Sequence, residues 1–137
     1  MWWTYALLSA FFAALVAIFA KVGIKGVDTD LATAIRTVVI LIVAWAIAFF
    51  RGGTATIGTL SKQNLLFLVL SGIATGLSWV FYFKALQLGK VSQVAPIDKL
   101  SVALAIALSV IFLGETLTWK AALGAGLIIS GTLVLIL

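Results

Sequence analysis
Cysteine and histidine are both absent from this 137-residue chain. Their absence excludes disulfides, thiol chemistry and the common zinc sites. Charge is scarce as well: charged residues make up 9% of the chain, against about 25% in a soluble globular domain. Only four are acids, set against nine Lys and Arg, and 64% of all residues are hydrophobic. So little charge cannot cover a water-facing surface, and the class that remains is an integral membrane protein. The basic residues are scattered singly and form no nucleic-acid patch, so the net charge of +5 reads as a topology signal. No nucleophile–base pair and no metal-ligand cluster stands in the sequence, which argues against an enzyme; no catalytic residue, metal or cofactor is expected. The first 20 residues carry no charge. The positive segment of a signal peptide is therefore missing, and the apolar run is too long for one, so it reads as a first spanning helix retained in the mature protein.

Five apolar stretches fill nearly all of the chain. They run from about Trp3 to Ala20, Leu31 to Phe50, Leu65 to Leu86, Val91 to Leu113 and Trp119 to Leu137. Each has the roughly 20 residues needed to cross about 30 Å of hydrocarbon. The runs are continuous, without the alternation of a membrane β-strand, so the expected fold is all-α, with residues 1–137 forming a single five-helix transmembrane domain. The lone Pro96 falls near the start of the fourth stretch, where a missing N–H costs little. An odd number of crossings puts the termini on opposite sides. An inverted copy of the same chain could then complete a symmetric transport pore.

Charge balance bears on that possibility. With the N-terminus on one side, that side carries Arg51, Lys62 and Lys120, whereas the other carries Lys21, Lys25, Lys84 and Lys90. The positive-inside rule orients a chain by the Lys and Arg difference between short loops. Three against four is near balance, which favours insertion in both orientations and an antiparallel homodimer; one orientation fixed by a partner chain is the alternative.

Arg36, Asp98 and Lys99 lie inside spans, about 8–12 Å from the helix starts at 1.5 Å per residue. A charge near mid-membrane costs about 2.5–3.5 kcal/mol on insertion scales, so such residues mark function or pairing. Adjacent helical residues diverge by about 100°, so Asp98 and Lys99 are not expected to face each other. Asp98 is expected to meet Arg36, either as a structural ion pair or as part of a binding site. Lys99 is then left as an unpaired cation suited to a carboxylate or phosphate. Trp79 and Phe83 share a helix face with Tyr82 close by, a suitable wall for a partly apolar solute. Trp2, Trp3 and Trp119 read as interface-belt residues. Gly72 and Gly76 form a GxxxG, and Ala122, Gly126 and Ser130 repeat every four residues on the last helix, a face on which backbones can approach in a dimer.

The chain resembles one five-helix half of an EamA-type transporter, in the drug/metabolite transporter superfamily. The resemblance rests on Ala20-Lys21-Val22-Gly23-Ile24, Ile35-Arg36, Phe81-Tyr82-Phe83-Lys84-Ala85-Leu86-Gln87-Leu88-Gly89, Val94-Ala95-Pro96-Ile97-Asp98-Lys99-Leu100 and Phe112-Leu113-Gly114-Glu115. It covers essentially the whole chain. Most members carry two inverted halves in ten helices; this chain is similar to the single-repeat members. The resemblance implies a secondary transporter of small metabolites without an ATP-binding domain. The last helix, Gly124 to Gly131, also looks like the dimer-forming helix of small multidrug-resistance transporters. Their helix-one glutamate is absent here, which argues against the same cation exchange.

The leading expectation is thus a secondary transporter or facilitator in the cell (inner) membrane, working as an antiparallel homodimer. Its partners are a small-molecule substrate and the lipid bilayer, with no nucleic acid. Arg36, Asp98, Lys99, Trp79 and Tyr82 are the expected substrate-binding residues. An accessory subunit of a hetero-oligomer and a lipid-carrier flippase are the alternatives.

Overall fold
The computed structural model describes all 137 residues. It is all-helical: α1 spans Trp2–Gly23, α2 Thr29–Phe50, α3 Lys62–Leu88, α4 Val91–Asp98, α5 Leu100–Leu113 and α6 Trp119–Ile136, with a 3₁₀ helix at Gly53–Thr59. Taking α4 and α5 as one span, Val91–Leu113, five helices are long and apolar enough to cross a membrane. Nearly all of their apolar surface is left uncovered by the chain itself. Lipid or a second chain must therefore supply the apolar environment that a soluble core would provide.

Local chemistry sets the helix ends. The Asp28 carboxylate caps α2, with Oδ1 accepting from the N–H groups of Asp30 (3.0 Å) and Leu31 (2.9 Å). The hydroxyl of Thr118 caps α6 by accepting from Ala121 N–H at 3.2 Å. Both satisfy donors that a helix start otherwise leaves open. At the end of α5, Gly114 takes a left-handed conformation with φ of 66°, which costs glycine nothing. The N–H of Glu115 then donates back to the carbonyl of Ser109 at 3.3 Å, giving a partner to a carbonyl near the helix end.

The chain forms two compact units. One is Phe19–Gln87, holding the end of α1 together with α2, the 3₁₀ helix and α3. Its buried centre contains Ile24, Thr29, Thr33, Phe83 and Leu86. Lys21 donates through Nζ to the carbonyl of Leu86, and Gln87 donates through Nε2 to the carbonyl of Val27 at 3.0 Å. Lys21 is thus more than the headgroup anchor its position near a helix end implies, because it satisfies a carbonyl in the last turn of α3. The 3₁₀ helix was not foreseen. Gly52, at φ 73°, turns the chain out of α2, and the hydroxyls of Thr56 and Thr59 bond carbonyls three residues back at 2.8 and 2.7 Å.

The second unit is Met1–Ile18 with Leu88–Leu137, and in it α6 packs against both α4 and α5. The fourth span is not the continuous helix expected. It breaks at Lys99, whose ψ of −9° departs from the α value. Pro96 lies in the second turn of α4, beyond the positions where a missing N–H is free. Its ring removes the bond to the carbonyl four residues earlier and crowds that carbonyl. The backbone tightens just after it, with Lys99 N–H donating to Pro96 O at 3.1 Å and Val102 N–H to Lys99 O at 3.0 Å. Thr132, 3% exposed on α6, supports the break. Its hydroxyl lies 3.2 Å from the carbonyl of Pro96 and 2.8 Å from that of Ile128, one proton shared between two acceptors. The isosteric Thr132→Val removes that donor. It should lower the melting stability of the purified protein by about 1 kcal/mol; an unchanged melting curve would mean that the break needs no support from α6.

Candidate functional site
Arg36 is the eighth residue of α2, about 10 Å into the span at 1.5 Å per residue. Its guanidinium carbon lies 4.5 Å from the centroid of the Trp79 ring and 4.8 Å from that of Phe83. Trp79 and Phe83 are one helical turn apart on α3, so they present two rings to one cation. Desolvated contacts of this kind are worth about 2 kcal/mol, and here they fasten α2 to α3. Tyr82 adds a ring 6.0 Å from that of Phe83. The Nη1 atom of Arg36 is buried and has no hydrogen-bond partner. No Asp or Glu occurs anywhere between residues 31 and 87.

The other intramembrane charges are arranged differently from the expectation. Lys99 Nζ lies 3.2 Å from Asp98 Oδ2, and the two side chains are 57% and 34% exposed. Lys99 is therefore not left unpaired. The 100° divergence of neighbouring residues holds only in regular helix, and Lys99 sits at the break, where its long stem reaches back to the preceding carboxylate. Arg36 in turn is held by aromatic rings. Phe83, expected on the aromatic wall with Trp79 but not among the substrate-binding residues, touches Arg36 directly. Its place one turn from Trp79 was the available signal, but the depth of Arg36 against α3 was not.

The Ala122, Gly126 and Ser130 row has its own position on α6. The half-covered or buried residues of that helix include Ala121, Ala125, Ile128 and Thr132, a stripe at helical spacing that faces α4 and α5. Gly126 and Ser130 lie exposed, well round the helix from that stripe, whereas Ala122 is at its edge. A Cβ added at Gly126, or at Gly72 or Gly76 of α3, would meet no atom of the chain within 4 Å. None of these glycines is needed for packing inside the chain.

A groove lies elsewhere in the same unit. About 810 Å³ in volume, it is lined by Ala44, Trp45, Ala48, Gly53, Thr54, Ile57 and Leu68. It holds no charged group and could orient no ionic solute, so Arg36 and its rings remain the candidate site.

The EamA-like transporter family model matches residues 1–137. Among curated proteins, an uncharacterized transporter in the cobO 3' region of Sinorhizobium sp. is 49% identical over 134 residues, covering 98% of this chain and 95% of that protein. An uncharacterized protein of Methanocaldococcus jannaschii is 34% identical over 74 residues, about half of each chain (54%). No solved structure matches the chain. Five apolar spans, the intramembrane charges and a family match over the full length agree, and the chain belongs to the EamA-like transporter family.

Proposed function
We propose that the protein is a secondary transporter or facilitator of small metabolites in the cell membrane, formed by two copies inserted in opposite orientations. The observation that carries this reading is the odd number of spans combined with three basic residues on one side and four on the other. A five-helix unit is half of the inverted architecture common to such transporters. An antiparallel pair restores ten helices, and rocking of the two copies gives alternating access. Arg36, Trp79 and Tyr82 in one unit, and separately the Asp98–Lys99 pair in the other, are the candidate solute-binding residues in this reading. The open face at Gly126 and Ser130 supplies part of the contact between copies. C-terminal reporter fusions, one active only inside the cell and one only outside, should both be active in the wild-type chain. Activity of one alone would give the chain a single orientation, as expected of an accessory subunit.

The contact face has its own test. Gly126→Leu adds a bulky side chain where the chain itself has open space, so the monomer should insert and melt normally. Association of copies in lipid, read by cross-linking or single-molecule photobleaching, should fall about tenfold or more, because close backbone approach is what a small-residue face provides. Unchanged association would move the contact to other helices, with Gly72 and Gly76 the next candidates.

A further inference from the structure
We infer that Arg36 binds the carboxylate of a small monoanionic solute whose body is flat and apolar. The inference deepens the transporter reading and rests on it for the role of the site. Arg36 is half-buried with its Nη1 atom buried, and a guanidinium in a low-dielectric span needs an acceptor and a countercharge. The two rings supply neither an acceptor lone pair nor a formal negative charge, and Nη1 has no hydrogen-bond partner. The carboxylates of its own unit do not serve either. The Asp28 carboxylate is engaged at the start of α2, Asp30 is exposed in the first turn of α2, about 9 Å along the helix from Arg36, and the stretch from residue 31 to 87 contains no acid.

The geometry narrows the ligand. Rings at 4.5 and 4.8 Å from the guanidinium carbon contact the cation through their π-systems, which leaves the buried Nη1 seeking an acceptor. A carboxylate answers in plane with two parallel hydrogen bonds, the pairing that suits a planar fork. One carboxylate against one guanidinium gives a neutral complex. A phosphate dianion would leave a net negative charge with no second cation on α2 or α3 at that depth, since Lys84 lies about 6 Å from the end of α3 at 1.5 Å per residue. The wall of Trp79 and Tyr82 suits a flat apolar body, which gains contact there without requiring further polar partners.

The test uses benzoate as the probe, with benzamide as its uncharged near-isostere and benzylamine as the opposite charge. The full chain is held in phosphatidylcholine nanodiscs, and binding is read by equilibrium dialysis of labelled probe. Benzoate should bind saturably, benzamide at least about tenfold more weakly, and benzylamine not at all. Arg36→Lys should weaken benzoate about tenfold, because an ammonium cannot form the bidentate pair, and Arg36→Leu should abolish it. The comparison of the three probes on the wild-type chain stands even if a variant fails to fold. Equal binding of benzoate and benzamide, or no saturable benzoate binding, would overturn the inference. So would loss of benzoate binding on replacing phosphatidylcholine by phosphatidylglycerol, since an anionic lipid headgroup would then be the natural occupant. Proteoliposomes loaded with amino acids, sugars and organic acids separate this from the transport reading. Benzoate binding without movement of any solute would leave the carboxylate site and remove the transporter. Movement of neutral or cationic solutes without benzoate binding would do the reverse.

Discussion

Locking the chain in one orientation should abolish transport, and mixing two oppositely locked chains should restore it. Thr59→Lys, Gln63→Lys and Thr116→Lys together raise the N-terminal side from three basic residues to six against four. Val27→Lys, Leu88→Lys and Gln93→Lys together raise the other side to seven against three. Either imbalance exceeds what the positive-inside rule needs to set the direction of short-loop proteins. Each triple variant, expressed alone, should insert one way only and lose solute flux to background. Co-expression should bring flux back toward that of the wild-type protein, since each chain then finds its inverted partner. The expected change is nearly all or none, because the inverted architecture needs both orientations. A singly locked chain that transports normally would refute the antiparallel arrangement.

Arg36→Leu should separate function from stability. A charged side chain in a span costs up to about 2.5–3.5 kcal/mol to insert, the larger value applying at the centre. The stacking on Trp79 and Phe83 returns about 2 kcal/mol or more when desolvated. Exchanging Arg36 for Leu removes both terms, so the melting stability should change by only about 1 kcal/mol in either direction. Solute flux in proteoliposomes, by contrast, should fall to background. If Arg36 were simply a clamp between α2 and α3, the same variant would melt as predicted and would keep its flux. Measuring both quantities on one preparation decides between a binding residue and a clamp.

Much of the site could be named from the sequence but not assembled. Arg36, Asp98 and Lys99 stand out because a charge inside an apolar run is costly wherever it points, and that cost is local. Trp79 and Phe83 share a face because both lie on α3, one turn apart. What one-dimensional spacing cannot supply is the rotation and depth of α2 against α3, and these decide that Arg36 meets rings. For Asp98 and Lys99 the obstacle was regularity itself. A regular helix would hold these two neighbours about 100° apart, whereas the break at Lys99 allows them to pair.

The sequence by itself determined the membrane class, the number of spans, the residues near which each begins and ends, and the family. These follow from sums over some 20 consecutive residues, or from turn-forming residues such as Gly114, whose backbone preferences act locally. Only the tertiary structure decided that the fourth span is two helices, that Thr132 of α6 reaches the Pro96 carbonyl at the break, that Arg36 stacks on Trp79 and Phe83, and that Gly126 faces away from its own chain. The break begins locally at Pro96, but the other three depend on how elements distant in sequence are turned toward one another. In a lipid-embedded chain that choice rests on close packing and a few polar contacts, and the hydropathy of a span carries little record of either.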